Sequence, residues 1–196
     1  DQGRPLAVVS GTGRVRAYDL KSGKELWGAS GLGLNCVPTP VADAGLLFVM
    51  SGYREAAGMA IRYAGARGDI GASDAVAWRI DSGLSYVPSP LLYDGKLYFL
   101  ERFRAVLSCC FLKTGEAHYP EQRIGGLGII YASPVAAAGR VYVTSRDGAT
   151  LVLSAGDIPR ILALNRLDDR ISASAALMND LLILRGERFL YGIGEE

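Results

Sequence analysis

Four stretches of this chain superimpose on one another, and that repetition limits the fold more than any single residue does. They are "VPTPVADAGLLFVMSG" from Val37, "VPSPLLYDGKLYFLER" from Val87, "YASPVAAAGRVYVTSR" from Tyr131 and "SASAALMNDLLILRG" from Ser172. Each carries a small hydroxyl residue, a short apolar run, a turn and then a strand-length apolar segment. The marker prolines are Pro40, Pro90 and Pro134, and Ala175 takes that place in the fourth copy. The accompanying hydroxyls are Thr39, Ser89, Ser133 and Ser174. A period of 40 to 50 residues means stacked supersecondary units that share a core with their neighbours.

A second unit is interleaved with the first. "RVRAYDLKSGKELW" ends at Trp27, "MAIRY…DAVAW" at Trp78 and "LSCCFLKTGEAHY" at Tyr119. The first and third align without a gap, and the second carries an insertion over roughly 64–73. Runs rich in Val, Ile, Leu, Tyr and Phe are bounded by Gly, Asp, Asn and Ser, the composition of strands and turns. Asp94-Gly95 is a hairpin signal. No stretch shows a helical period with caps. We therefore read four strands per repeat, a to d. In the third unit these are Tyr86–Tyr93, Lys96–Glu101, Ala105–Leu112 and Ala117–Tyr119. Strands b and c are apolar on both faces, as required when every sheet lies between two others.

The expected fold is all-β: a β-propeller of four-stranded antiparallel blades, here a partial one within a single segment, 1–196. Residues 6–29 supply strands b to d of an incomplete first blade. Complete blades follow at 37–79, 86–124 and 131–168, and 171–193 supply strands a to c of an incomplete last one. Open ends of such an arc invite self-association.

Composition excludes several partners. Lys and Arg total 21 against 20 Asp and Glu, so the balance of +1 gives no electrostatic reason to bind nucleic acid. The longest apolar runs fall far short of a membrane span. The first residue is Asp and no signal peptide is expected in this segment.

The repeats resemble those of the pyrroloquinoline-quinone-like (PQQ-like) β-propellers, in "GRVRAYDLKSGKELW", "PTPV…GLLFVMSG" and "SPVAAAGRVYVTSRDGATLVLSAG". The outer-membrane assembly lipoprotein type is one branch of that family. The resemblance implies that Trp27 and Trp78 dock between sheets, and that the chain is extracytoplasmic, periplasmic or secreted, and bacterial. It implies a non-enzymatic scaffold or binding module for protein or small-ligand contacts. The alternative it implies is part of a quinoprotein oxidoreductase using PQQ with calcium, its active-site residues outside this segment. In such enzymes a vicinal disulfide covers the quinone, and Cys109-Cys110 evokes it.

The residues themselves favour the scaffold. Aligned on Gly23 and Gly115, the two cysteines fall opposite Ala17 and Tyr18 inside strand c, where they are expected to be reduced core residues. His118 is the single histidine, and the cysteines lack paired ligand spacing. Asp69 and Asp74 in "RGDIGASDA" lack the oxygen-rich alternation of a calcium loop, so this insertion and its "RGD" are expected to be solvated. "SGTGRVR" is no dinucleotide fingerprint, and no nucleophile elbow occurs. Asp168-Asp169 reads as a solvated turn. No catalytic, cofactor or metal residues are assigned. One pattern remains: Arg54, Arg102, Arg104, Arg146, Arg185 and Arg188 recur at the b–c turns, a candidate binding rim for carboxylate-bearing partners. The recurring hydroxyls are expected to end the innermost strands through local hydrogen bonds, the other reading being a polar channel lining.

Overall fold

A computed structural model describes residues 3–101 and 105–194. They form five β-sheets and, among the described residues, no helix. The first sheet contains β1 (Leu6–Gly11), β2 (Arg14–Asp19) and β3 (Glu25–Ser30). The second contains β4 (Val41–Asp43), β5 (Leu46–Ser51), β6 (Ala57–Arg62) and β8 (Val76–Ile80), while β7 (Gly68–Asp69) leaves it to join the first. The third contains β9 (Leu91–Tyr93), β10 (Lys96–Leu100), β11 (Val106–Phe111) and β12 (Ala117–Arg123). The fourth contains β13 (Val135–Ala137), β14 (Arg140–Thr144), β15 (Ala149–Ser154) and β16 (Ile161–Arg166). The fifth contains β17 (Ala176–Met178), β18 (Leu181–Arg185) and β19 (Leu190–Ile193). Three full up-and-down sheets lie between two incomplete ones, which is a partial β-propeller.

Why sheets stack follows from residue alternation. In β5, Leu47 and Val49 join Val15, Ala17 and Trp27 of the first sheet in one core. Phe48 and Met50, one residue out of phase, join Leu97, Phe99 and Cys110 of the third sheet in another. Successive side chains of a strand point to opposite faces, so one strand feeds two cores. The third core joins Tyr98, Leu107, Cys109 and Tyr119 to Val141, Val143, Leu151 and Leu153 of the fourth sheet.

Aromatic residues lock each sheet to the next at one register position. Trp27 pairs with Ala17, Trp78 with Ala60 and Tyr119 with Cys109, and a β-bulge follows every one of these seats. The two indoles rest on the c–d connection of the following sheet. Trp27 is covered by Ala66 and Ile70 of the insertion. Trp78 donates from Nε1 to the Leu112 carbonyl at 2.9 Å. Its ring lies so close to Gly115 that a Cβ there would sit 2.6 Å from Trp78 Cδ2, and Gly115 also has φ +74°. Only glycine meets both demands.

The innermost strands are joined differently. Thr39 N–H donates to Ser89 Oγ, Ser89 N–H to Ser133 Oγ and Ser133 N–H to Ser174 Oγ, each at 2.9 Å. The hydroxyls thus bridge consecutive sheets instead of ending their own strands, which corrects the local-bond expectation. Proline follows the donor at Pro40, Pro90 and Pro134. It lacks an N–H and starts a strand of three residues only, so the span Tyr86–Tyr93 shrinks to Leu91–Tyr93.

The insertion is exposed at Gly68–Asp69, as expected, but it is anchored to the first sheet. Gly68–Asp69 pairs in parallel with β3, and Asp69 receives Arg14 Nη1 at 3.1 Å. The aspartate of "RGD" is thereby engaged within the chain.

Trp78→Ala removes an indole packed between two sheets together with its hydrogen bond. It is expected to cost about 3–5 kcal/mol, the range for truncating a packed aromatic, measured by urea unfolding.

Candidate functional site

Every sheet runs up and down in the same order, so its b–c turn emerges on the same side as the links leading into the next sheet. Contacts between these segments show the juxtaposition directly. Tyr53, in the turn after β5, meets Tyr86, in the link into the third sheet, with ring centroids 4.8 Å apart. Arg146, in the turn after β14, has Cζ 4.6 Å above the Tyr131 ring of the preceding link, and its Nε donates to Ser172 Oγ of the following link at 3.3 Å.

The rim arginines fall into two groups. Arg54 lies with Cζ 5.7 Å above Tyr53, and Arg188 with Cζ 5.6 Å above Phe189. Arg188 is additionally tied to Asp168 Oδ2 at 3.1 Å and to Asp169 Oδ1 at 3.7 Å. No carboxylate pairs with Arg54, Arg146 or Arg185 among the described residues. Arg185 ends β18 opposite Leu190. Arg102 and Arg104 lie outside the described residues. Stacking occupies the face of a guanidinium and leaves in-plane N–H donors at its edges, the geometry that grips a carboxylate bidentately. Nearby charges are already matched: Arg166 binds Asp147 at 3.3 Å and Arg170 binds Glu187 at 3.7 Å. The Ser145 hydroxyl, which donates to Asp147, holds that carboxyl below its usual range, and Arg166 adds to this.

Asp169 is the residue that sequence reasoning placed wrongly. Asp168 is solvated, but the Asp169 side chain is 2% exposed. It accepts from the backbone N–H of Arg170 at 2.8 Å, from Arg188 and Phe189 at 3.1 Å each, and from the Tyr191 hydroxyl at 3.2 Å. Gly186 presses against this carboxylate where a Cβ could not fit. Adjacent acidic residues give no hint in sequence of which one turns inward; the glycine three residues before Phe189 is the only local signal.

The cysteines do not fit a quinone clamp. Cys109 faces the core between the third and fourth sheets, Cys110 the core between the second and third, and both are free thiols. Among the described residues, no three His, Cys, Asp or Glu side chains converge as a metal site. His118 meets Asp157 at 3.2 Å, with Lys96 3.9 Å from the same carboxylate, an electrostatic link between the third and fourth sheets. No helix among the described residues is long and apolar enough to cross a membrane.

A cleft of about 780 Å³ separates the fourth and fifth sheets. It is lined by Tyr142, Thr150 and Val152 on one wall and Leu177, Leu182 and Leu184 on the other.

No family model and no curated protein sequence matches the chain. Among solved structures, the computationally designed protein Ika8 is similar over 96% of this chain and 55% of its own, with TM-score 0.70 and 11% identity. BamB from Moraxella catarrhalis aligns over 92% of this chain and 64% of its own, with TM-score 0.47 and 15% identity. The chain is a propeller-like repeat protein. It spans less than two thirds of either of these structures, and likeness at such identity concerns the fold alone.

Burial pushes the Cys109 thiol up to about 11 and the Cys110 thiol up to about 12. The thiolate is the reactive form, so both are expected to resist Ellman's reagent at pH 8 in the folded protein. Three thiols should titrate once it is unfolded, one for each cysteine. Burial raises the Asp169 carboxyl, but its hydrogen bonds from Arg188, Phe189, Arg170 and Tyr191 outweigh that and hold it below 3.8. A depressed carboxyl stabilises the fold above its unfolded value, about 3.9, and loses that contribution as pH falls through the folded value. Hydrogen-exchange protection over 186–193, taken relative to the intrinsic rate at each pH, is therefore expected to fall below about pH 4. In Asp169→Asn the same amides should exchange fast already at neutral pH.

Proposed function

We propose that this chain is a non-enzymatic binding scaffold of the propeller type, and that its b–c turn face holds carboxylate-bearing segments of a protein partner. The observation that carries this reading is the layering of Arg54 on Tyr53 and Arg146 on Tyr131 with, among the described residues, no carboxylate bound to either arginine. Arginine and aromatic residues are the types that dominate interface hot spots. The rings hold the guanidinium planes in place, so less rotamer freedom is lost on binding than for unsupported side chains. Arg185 extends the positive rim. Arg188 contributes mainly inside the molecule, through Asp168 and Asp169.

The repeat motifs support placing the chain with the PQQ-like propellers, and with it an extracytoplasmic, bacterial setting. They support the scaffold branch over the oxidoreductase branch, because the cysteines that evoked a quinone clamp belong to two different cores.

The test uses a fluorescein-labelled peptide of alternating Glu and Asp with one central Tyr. Saturable binding that weakens with salt is expected, and Arg54→Ala with Arg146→Ala should lower affinity at least tenfold. Arg54→Lys with Arg146→Lys should recover only part of it, since lysine keeps the charge and loses the fork. Equal affinity of the double alanine variant and the parent overturns the reading.

A further inference from the structure

We infer that the cleft between the fourth and fifth sheets is a binding site for an aromatic carboxylate, a planar ring carried on a short acidic chain. The first three sheets each present an aromatic residue beside strand c: Trp27 opposite Ala17, Trp78 opposite Ala60 and Tyr119 opposite Cys109. In β15 the corresponding seat is Val152, marked by the same β-bulge, and the residue opposite it is Ala163. The fourth sheet therefore lacks the ring that every earlier sheet inserts toward its neighbour. Val152, the cross-strand partner of Ala163, lines the cleft of about 780 Å³ between the fourth and fifth sheets, a volume within the range of small-molecule sites.

The walls differ in chemistry. Tyr142, Val152 and Ala163 share one face of the fourth sheet by register, and Tyr142 and Val152 line the cleft. Opposite stand Leu177, Leu182, Leu184 and Ile193 of the fifth sheet. Ile61, Cys110 and Leu153, which hold the place of Ile193 in the second, third and fourth sheets, are buried, whereas Ile193 is 44% and Leu177 41% exposed. A flat ring inserted here would cover both walls, as Trp78 does between Phe48 and Gly115 in the second interface. Apolar surface alone does not choose a ligand, but the mouth does. Arg140 also lines the cleft, and among the described residues no hydrogen bond or ion pair reaches its guanidinium. Asp180 is the opposing charge on the rim, with Asn165 and Asn179 as amide donors. An unpaired arginine next to two amides favours a carboxylate over a neutral or cationic head group. This site lies between two sheets and does not involve Arg54 or Arg146.

Indole-3-propionate is the probe, titrated into the full chain and followed by calorimetry and methyl NMR. Saturable binding is expected, with shifts confined to the methyls of Leu177, Leu182, Leu184, Val152 and Ile193. Arg140→Ala should weaken it about tenfold or more, the scale of a lost charge-assisted hydrogen bond. Ala163→Trp supplies the missing ring from within, so it should abolish binding and raise the Tm. Arg160→Ala, outside the cleft, should change neither. Absence of saturation up to 10 mM probe (~10 mM marks the weak limit of specific affinity), or unchanged affinity in Arg140→Ala, overturns the assignment. So does Ala163→Trp if it folds and still binds as the parent does.

Discussion

One backbone hydrogen bond, repeated three times, fixes how these sheets are arranged. An N–H ahead of each inner strand crosses to the hydroxyl of the next sheet, from Thr39 to Ser89, Ser89 to Ser133 and Ser133 to Ser174. A sheet satisfies its own ladder internally, so nothing in the ladder tells one sheet where to stand relative to the next. The hydroxyl bridge supplies that information at the inner edge, where β4, β9, β13 and β17 are neighbours. Because a hydroxyl can both accept and donate, a single Ser or Thr per repeat propagates the pattern.

Farther out, the same task falls to aromatic rings. A hydroxyl bridge is short and directional, whereas an indole fills volume, and together they set both the spacing and the angle of consecutive sheets. The ring needs a small seat beside it, provided by Ala17 and Ala60, and a turn that allows close approach, provided by Gly115. In the fourth sheet Ala163 stands in the ring's place opposite Val152, and a cleft lined by Val152 lies between this sheet and the fifth. The last sheet is then held largely by polar contacts. Asp169 gathers three backbone amides and a tyrosine hydroxyl, and Arg146 spans the links on both sides. The positively charged face and the clasp of the final sheet are thus built from the same turns.

Much of the architecture was legible because it rests on near-neighbour patterns. The continuous apolar run "LLFVM" and the turn pair Asp94-Gly95 report directly on a strand buried on both faces and on a hairpin. The reading of Cys109-Cys110 as core came from the repeat, which sets them opposite Ala17 and Tyr18 inside a strand, and the structure sends them to opposite faces. The insertion was not legible. Gly68–Asp69 has no strand composition and pairs only because Arg14 and β3 are brought alongside. The rim arginines were visible as a list, but their division into stacked and paired groups depends on how the turns fold: Arg54 and Arg188 lie over rings next to them in sequence, while Arg188 also reaches Asp168, 20 residues away.

What the sequence by itself determined is the repeat, its strands and the order of its sheets, because local hydrogen bonding and alternating burial are set by residues close along the chain. What only the tertiary structure decided is where the hydroxyls point, which of two adjacent aspartates is buried, and where a space remains between sheets. Those outcomes depend on contacts between residues well separated along the chain, from Asp169 and Tyr191, at 22, to Thr39 and Ser89, at 50. A side chain's neighbours across such a distance are fixed only when the sheets have packed.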